Sequence, residues 1–480
     1  MTTSPAAQTS PESAPDAAHQ VLTVQQMREA EGALIEAGTS VDALMQIAGR
    51  GAAAYVWRMS GQRPVTVLCG PGNNGGDGYV IAQAIRERGG EAVVVAAMPP
   101  ATDAARNARK LFEGPVLGPE EADCSGEVFV DCLFGSGLTR PLDADAFALL
   151  VKLAGRHRHR VAIDLPSGVG SDTGMALNEG LPQYDLTVAL GAWKYAHFLM
   201  PSAPLCGTQR LVDIGVAPVA GAAGRLRRPD LAAPGPDAHK YTRGLLAVVG
   251  GAMPGAAILA SMAAQGAGAG YVKLFADTKR GAPADLVVET GPVSEVLTDH
   301  RNSAILVGPG LGRDGVARER LAVALADPVP VLVDADALVL LTGRHLAERS
   351  APTVATPHEG ELVALERAFD CDGSGSRPQR ALALARKSGM IVVAKGADTV
   401  IAAPDGRLAL VPRASSWLST AGTGDVLAGA IASRLACGAE AFAAAGEGAW
   451  LHGEAARLAP PAFSALQLAE RIPAALAACL

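Results

Sequence analysis

Short apolar runs that end in Gly, Asp or Pro alternate with stretches of helical period, and this rhythm occurs twice along the chain. Few folds satisfy it. In the first half Val65–Cys69, Val128–Leu133, Val161–Leu165 and Leu186–Leu190 read as parallel strands, since a strand covered on both faces needs a nearly continuous apolar run. A helical pattern at Tyr79–Arg88 stops at Gly89 and Gly90. In the second half Gly244–Val249, Ala304–Val307, Val329–Val333, Thr353–Thr356 and Met390–Ala394 repeat the pattern. Val400–Ala403 and Leu408–Val411, joined across Pro404-Asp405-Gly406, read as a hairpin, and the chain from Asp425 onward reads as mainly helical. The expected fold class is α/β: a Rossmann-like three-layer αβα sandwich followed by a second αβα sandwich. With 480 residues there is chain enough for two cores.

The segments outside this rhythm set the expected boundaries. Residues 1–19, mostly Pro, Ser, Thr and Ala, have neither a basic start nor an apolar core, and read as a disordered N-terminus rather than a signal peptide. The aperiodic stretch Pro218–Pro236 reads as a linker, which leaves domains at 20–217 and 237–480. No repeat of about 20–50 residues suggests a solenoid.

Composition excludes whole classes of function. A net charge of -7 without a Lys/Arg run argues against nucleic-acid binding, and the densest basic patch, His157–Arg160, reads as a solvated helix end. No uninterrupted apolar stretch reaches membrane length. The seven cysteines (Cys69, Cys124, Cys132, Cys206, Cys371, Cys437 and Cys479) form no CxxC pair and no zinc spacing. They fit reduced thiols in a cytoplasmic protein.

Two glycine-rich segments carry the chemistry. Cys69 to Gly78 holds five glycines and the core Asn73-Asn74-Gly75-Gly76-Asp77, between a strand and a helix. Glycine lets backbone approach a ligand and a helix start offers free N–H groups, but two amides and a carboxylate add nothing to a plain turn. Two other strands end in acids, Asp131 and Asp164, the latter before Pro166-Ser167-Gly168. Ligands of open α/β sheets bind at the carboxyl ends of strands, so these groups should converge. Asn74, Asp131 and Ser167 offer hard oxygens with a single carboxylate, a poor zinc site and a reasonable monovalent-cation site. Asp164 remains as the acid/base candidate.

The second segment, Ser419 to Gly429, contains Gly422-Thr423-Gly424-Asp425 and opens a helix. Its N–H groups suit phosphate oxygens, whereas a carboxylate there repels phosphate and makes sense as a base that deprotonates an attacking hydroxyl. Thr356-Pro357-His358-Glu359-Gly360-Glu361 follows a strand, and Lys395-Gly396-Ala397-Asp398-Thr399 supplies a cation and a turn for nucleotide phosphates. Gly308-Pro309-Gly310-Leu311-Gly312 and Gly250-Gly251 through Ala257 are further close-approach segments.

The motifs GPGNNGGDGYVIA, DCLFGSGLTRP, AIDLPSG and TVALGAWKYAHF resemble the epimerase domain of NAD(P)H-hydrate repair proteins over residues 20–216. The resemblance implies that Asn73, Asn74, Gly75, Gly76, Asp77, Gly135, Ser136, Gly137, Leu138, Thr139, Arg140, Pro141 and Asp164 contact hydrated nucleotide. It also implies potassium at Asn74, Asp131 and Ser167, with Asp164 moving protons at C6 of the damaged ring. The set VGG…PGAA, VGPGLG, TPHEGE, KGADT and AGTGD, over residues 238–478, is similar to the ribokinase-like, ADP-dependent NAD(P)H-hydrate dehydratases. That resemblance implies substrate contacts at Ala257, Gly312, His358 and Asp425, with ADP at Lys395, Gly396, Ala397, Asp398, Thr399 and Gly424. ADP with Mg2+ would then serve as phosphoryl donor, and the expected assembly is a homo-oligomer. Two other readings stand beside this one. The second half could be a kinase for a hydroxymethylpyrimidine- or pyridoxal-type alcohol, and the first half a binding module without turnover. Asp164, Asn74 and Asp131 speak against a silent module.

Overall fold

The computed structural model describes residues 15–297 and 299–480, in two compact units that divide between Arg225 and Leu226. In the first unit the strands are β1 (Gln20–Leu22), β2 (Val65–Cys69), β3 (Ala92–Ala96), β4 (Val116–Leu117), β5 (Gly126–Cys132), β6 (His157–Ile163), β7 (Leu186–Leu190), β8 (Trp193–Lys194), β9 (Thr208–Val212) and β10 (Ala223–Arg225). Seven of them form a parallel sheet in the order β4-β3-β2-β5-β6-β7-β9. Alternate residues feed opposite faces. Val128 and Val130 enter one core with Val65 and Val161, while Phe129 enters the other with Leu68 and Leu150. Each such side chain contributes about 1.5–3 kcal/mol relative to an exposed position.

The strand order reverses between β2 and β5, so the chain segments leaving these two strands flank a crevice at their carboxyl ends. The helix Asn73–Glu87 begins immediately after β2 and includes the whole Asn-Asn-Gly-Gly-Asp core, six residues earlier than the hydrophobic period suggests. Its glycines are there for packing. A Cβ on Gly75 would stand 1.9 Å from the Gly70 carbonyl, and one on Gly78 2.6 Å from the Cys69 sulfur.

Three local expectations are corrected. His157–Arg160 lies within β6 rather than at a helix end, and the His157 ring is buried between the Leu153 carbonyl and the Thr66 hydroxyl. Residues 1–14 lie outside the described residues, but Ala17–His19 is a helical turn that leads into β1, so the ordered chain starts before residue 20. Nor is Pro218–Pro236 a free connector throughout. β10 pairs antiparallel with β1, and beyond it Leu226 and Leu231 donate backbone hydrogen bonds to Leu410 and Cys479.

The second unit contains β11 (Leu245–Val249), β12 (Tyr271–Phe275), β13 (Val287–Glu289), β14 (Asn302–Val307), β15 (Val331–Val333), β16 (Thr353–Ala355), β17 (Ile391–Ala394), β18 (Val400–Ala402) and β19 (Leu408–Leu410). Strands β13-β12-β11-β14-β15-β16-β17 run parallel in that order, followed by antiparallel β18 and β19. Here the strand order reverses between β11 and β14, and the loops beyond them are joined by the Met253 N–H to Gly310 carbonyl bond of 2.9 Å. The helices Pro254–Gly266 and Thr423–Ala436 pack against each other through Gly429, where a Cβ would stand 2.1 Å from the Ala260 carbonyl. All seven cysteines are free, and among the described residues no helix is long and apolar enough to cross a membrane.

The Gly429 contact yields a stability prediction. Gly429→Ala should lower the urea midpoint of the second unit by a cost of about 1–3 kcal/mol, because the neighbouring backbone must move. Gly315→Ala, at the first turn of the helix Gly315–Ala326 with nothing within 4 Å, should be neutral or stabilising by up to about 1 kcal/mol.

Candidate functional site

In the first unit the strand-end acids and the glycine helix meet. Asp164 follows β6 with φ of +67°, a left-handed conformation costly for a non-glycine residue and the reason β6 stops at Ile163. Five bonds hold it there, one of them a long one of 3.5 Å from the Leu190 N–H to Oδ1. Its N–H donates to the Val188 carbonyl at 2.8 Å, and its carbonyl lies 2.9 Å from the His197 ring. Oδ2 accepts from the Ser136 N–H at 2.9 Å, and Oδ1 pairs with Lys194 Nζ. Lys194, at the end of β8, is only 1% exposed and also donates to the Leu190 carbonyl at 2.6 Å. Burial alone would raise the Asp164 carboxyl, but Lys194 and the Ser136 amide hold it below its ordinary value.

Two more carboxyls face the same ammonium. Asp77, in the glycine helix, is pushed well up by burial and by the charges of Asp164 and Glu31, against the pull of Lys194. Glu31, on the helix Val24–Glu36, is also raised by burial, with Lys194 opposing. Three carboxyls around one lysine cannot all be ionised cheaply, which is why Asp77 and Glu31 are raised while Asp164 is lowered. Arg28, on the same helix as Glu31, reaches within 3.9 Å of where Gly137 would carry a Cβ.

The remaining expected positions lie around this centre. Asn73 accepts from the Thr102 hydroxyl at 2.8 Å. The carboxamide of Asn74 lies beside Gly135, and neither of its polar atoms has a partner although both are buried. Gly135, Ser136 and Leu138 are partly covered, whereas Gly137, Thr139, Arg140 and Pro141 are exposed. Asp131 is fully buried. It accepts from the Leu133 N–H at 3.1 Å, from the Ser167 hydroxyl and N–H at 2.7 and 3.0 Å, and from the Tyr184 hydroxyl at 2.5 Å. All four donors are neutral, and burial raises its carboxyl.

The second unit repeats the device with other residues. Gly422 takes φ of +90° and starts the helix that carries Asp425 in its first turn. Lys395, after β17, directs Nζ at the Asp334 carboxylate at 2.6 Å and lies 4.0 Å from Glu361. The same ammonium is 3.5 Å from where Gly424 would carry a Cβ. Burial raises the Asp425 carboxyl to about 7, with Asp334 adding and Lys395 opposing. His452 Nε2 lies 2.9 Å from the Thr423 carbonyl, and burial lowers its ring to about 4, so it braces the turn as a neutral group.

Gly396 and Thr399 close a turn through the Thr399 hydroxyl, Asp398 pairs with Arg377 at 3.2 Å, and Ala397 is exposed. His358 is an exposed helix cap. Its Nδ1 accepts from the Gly360 and Glu361 N–H groups and its Nε2 is 3.4 Å from Glu361. Gly312 donates its N–H to Asp336 at 3.0 Å. Ala257 is fully buried inside its helix. Among the described residues no group of three His, Cys, Asp or Glu side chains could hold a metal ion. A cavity of about 380 Å³ near Arg243, Gly268 and Arg434 lies where β11 and β12 begin, away from all these groups.

Residues 41–196 match the family model described as YjeF-related protein N-terminus, and residues 246–476 the one described as NAD(P)H-hydrate dehydratase. The bifunctional NAD(P)H-hydrate repair enzyme Nnr of Salinibacter ruber is 34% identical, over 91% of this chain and 91% of its own. The chain belongs to this family of repair enzymes. The Mycobacterium leprae member is 35% identical, with 91% and 93% covered. An ADP/ATP-dependent NAD(P)H-hydrate dehydratase from Bacillus subtilis, crystallised with ATP and Mg2+, is 26% identical and matches 52% of this chain and 95% of that one with a TM-score of 0.47. In this repair enzyme, Lys194, Glu31 and Asp334 escaped sequence reasoning. Asp334 carries the same strand-end signal that singled out Asp131 and Asp164, and Lys194 sits inside a motif already noted, TVALGAWKYAHF.

The Asp164–Lys194 pair is open to a direct test. Asp164→Asn leaves a buried ammonium without its closest counter-charge and should destabilise the first unit by about 3–5 kcal/mol in urea titrations at pH 7. Adding Lys194→Met should restore part of that loss, and strict additivity would show that the two are not coupled.

Proposed function

We propose that this chain repairs hydrated NADH and NADPH, the first unit interconverting the R and S hydroxyl epimers and the second dehydrating the S form with a phosphoryl group from ADP. The observation that carries the reading is that each unit sets titratable carboxyls of unequal affinity for protons around one lysine, buried in the first unit and half-buried in the second, at the carboxyl end of a parallel sheet.

In the first unit Asp164, held below its ordinary value by Lys194, accepts a proton at the C6 hydroxyl, and Asp77, raised by burial, is the candidate proton donor beside it. The segments Asn73–Asp77 and Gly135–Pro141 form the walls for the nucleotide. Potassium fits here because Asn74 has a buried carboxamide oxygen without a partner and Asp131 a buried charge with only neutral donors. Asn74 and Ser167 would hold the ion beside Asp131, where its charge offsets that carboxylate.

In the second unit the Asp425 carboxylate takes the proton of the C6 hydroxyl as that oxygen attacks the terminal phosphorus of ADP, and AMP departs. Phosphate then leaves C6, a proton leaves the neighbouring ring carbon, and the dihydropyridine is restored. Lys395 to Thr399 and the Gly424 N–H suit the phosphates, while Gly312 and the exposed ring of His358 suit the hydrated nucleotide. Mg2+ would be held mainly by the nucleotide's own phosphates, whose charge it shields.

Three outcomes follow. Asp425→Asn should lower nucleotide-dependent recovery of the reduced-nicotinamide absorbance by about 10²–10⁴-fold and leave epimer exchange intact; near-normal recovery would remove Asp425 as base. In the wild type, kcat/KM for dehydration should fall about tenfold per pH unit below a midpoint of about 7, because only the ionised carboxyl accepts a proton. Replacing potassium with a large organic cation should slow epimerisation alone, and an indifferent epimerase would eliminate the ion site.

A further inference from the structure

Asp334 stands at the carboxyl end of β15 and is 1% exposed. Its Oδ1 accepts from Lys395 Nζ at 2.6 Å and from the Thr356 hydroxyl at 2.7 Å, so residues following β15, β16 and β17 meet on one oxygen. Thr356 alone could be satisfied by any small acceptor. It is the ammonium that requires a charge. The backbone around Asp334 is fixed as well. Its N–H donates to the Val307 carbonyl at 3.1 Å, and Gly308 lies so close that a Cβ there would stand 1.8 Å from the Asp334 carbonyl oxygen. The carboxylate therefore occupies one place relative to the sheet. Lys395, bound to it, occupies one place relative to Gly424.

We infer that Asp334 is a positioning residue for dehydration, holding the Lys395 ammonium against the Gly422–Asp425 turn and supplying the fixed negative charge that the Asp425 carboxyl faces. This rests on the reading of Asp425 as the base. The charged groups around Asp425 are Asp334 from the end of β15 and Lys395 from the end of β17. Glu361, on the helix after β16, is 4.0 Å from the same ammonium. His452 approaches from the helix Ala441–Leu458 but is neutral. Burial is the larger cause of the Asp425 shift and remains when Asp334 is neutralised. Loss of the Asp334 charge removes one contribution that raises Asp425, and it leaves Lys395 free to lower that carboxyl further. Both changes act in the same direction.

The test is Asp334→Asn in the full chain, which conserves volume and an acceptor for Thr356. Dehydration kcat/KM is measured from pH 5.5 to 8.5, with KM for ADP and epimerisation of the same preparation. The acidic limb should move to lower pH, so that the ratio of activity at pH 6 to that at pH 8 rises about threefold or more, a shift of about half a pH unit. KM for ADP should rise and epimerisation should not change. A purely structural role would lower activity at every pH without moving the limb, and that result overturns the proposal. Thr356→Val removes one bond to the same oxygen and leaves the charge, so it should raise KM for ADP with the limb in place. If Asp334→Asn fails to fold, a wild-type KM in Thr356→Val overturns the positioning role. Asp425→Asn separates the two levels: if it dehydrates normally the base reading fails, and if it is inactive while Asp334→Asn behaves as wild type, only the positioning role fails.

Discussion

A lysine ammonium removed from water demands a negative partner, and both units of this chain answer with more carboxyl groups than the lysine can neutralise. Lys194 faces Asp164, Asp77 and Glu31, and Lys395 faces Asp334, Glu361 and Asp425. With one positive charge against three acids, full ionisation would leave two uncompensated charges in a poorly solvated space. Full ionisation is therefore opposed in each cluster. Asp164, which Lys194 touches, is held below its ordinary value, while Asp77, Glu31, Glu361 and Asp425 are displaced upward, by burial first and by neighbouring carboxylates second.

That arrangement depends on backbone that approaches closer than side chains normally allow. In the first unit Gly70 and Gly75 bring the start of the helix Asn73–Glu87 against the ends of β2 and β5, and a Cβ on Gly70 would stand 1.8 Å from the Leu133 carbonyl. In the second, Gly308 seats its loop on Asp334 and Gly310 seats it on Met253, again at the point where strand order reverses. The glycines do more than leave room for a ligand. They set the distances at which strand-end acids, helix starts and lysines meet, so a change in one of them moves charges as well as walls.

Much of this was legible in the residues. The long apolar runs appear as strands because parallel strands buried on both faces tolerate few polar residues, and the Asn-Asn-Gly-Gly-Asp and Gly-Thr-Gly-Asp segments stand out because their polar side chains serve no turn. The misses have physical causes. β1, β8 and β10 are two or three residues long and owe their existence to pairing between Gln20–Leu22, Trp193–Lys194 and Ala223–Arg225, a contact across most of the unit that no local period encodes. His157–Arg160 looks solvated by composition, yet His157 finds two buried hydrogen-bond partners and the segment continues into β6. A lone lysine in an apolar motif gives no sign that it will be buried, because its counter-ion lies 30 residues away in the chain.

The two clusters use one device in opposite senses. In the first unit the acid at the strand end, Asp164, is both the lysine's partner and the group proposed to react, so pairing keeps it charged and ready to accept a proton. In the second unit the strand-end acid, Asp334, takes the lysine, and the reacting acid on the helix is left to titrate near 7. The contributions of these two carboxyls to the pH dependence of folding then differ in sign. A carboxyl whose folded value is depressed, such as Asp164, contributes stability above its unfolded value that is lost as pH falls through the folded one. A carboxyl whose folded value is raised, such as Asp425, favours folding in its protonated form, and stability declines as pH rises from about 4 toward about 7. The second unit thus gives up stability over the same pH range in which its base becomes active, because the ionisation that permits proton abstraction is the one that burial opposes.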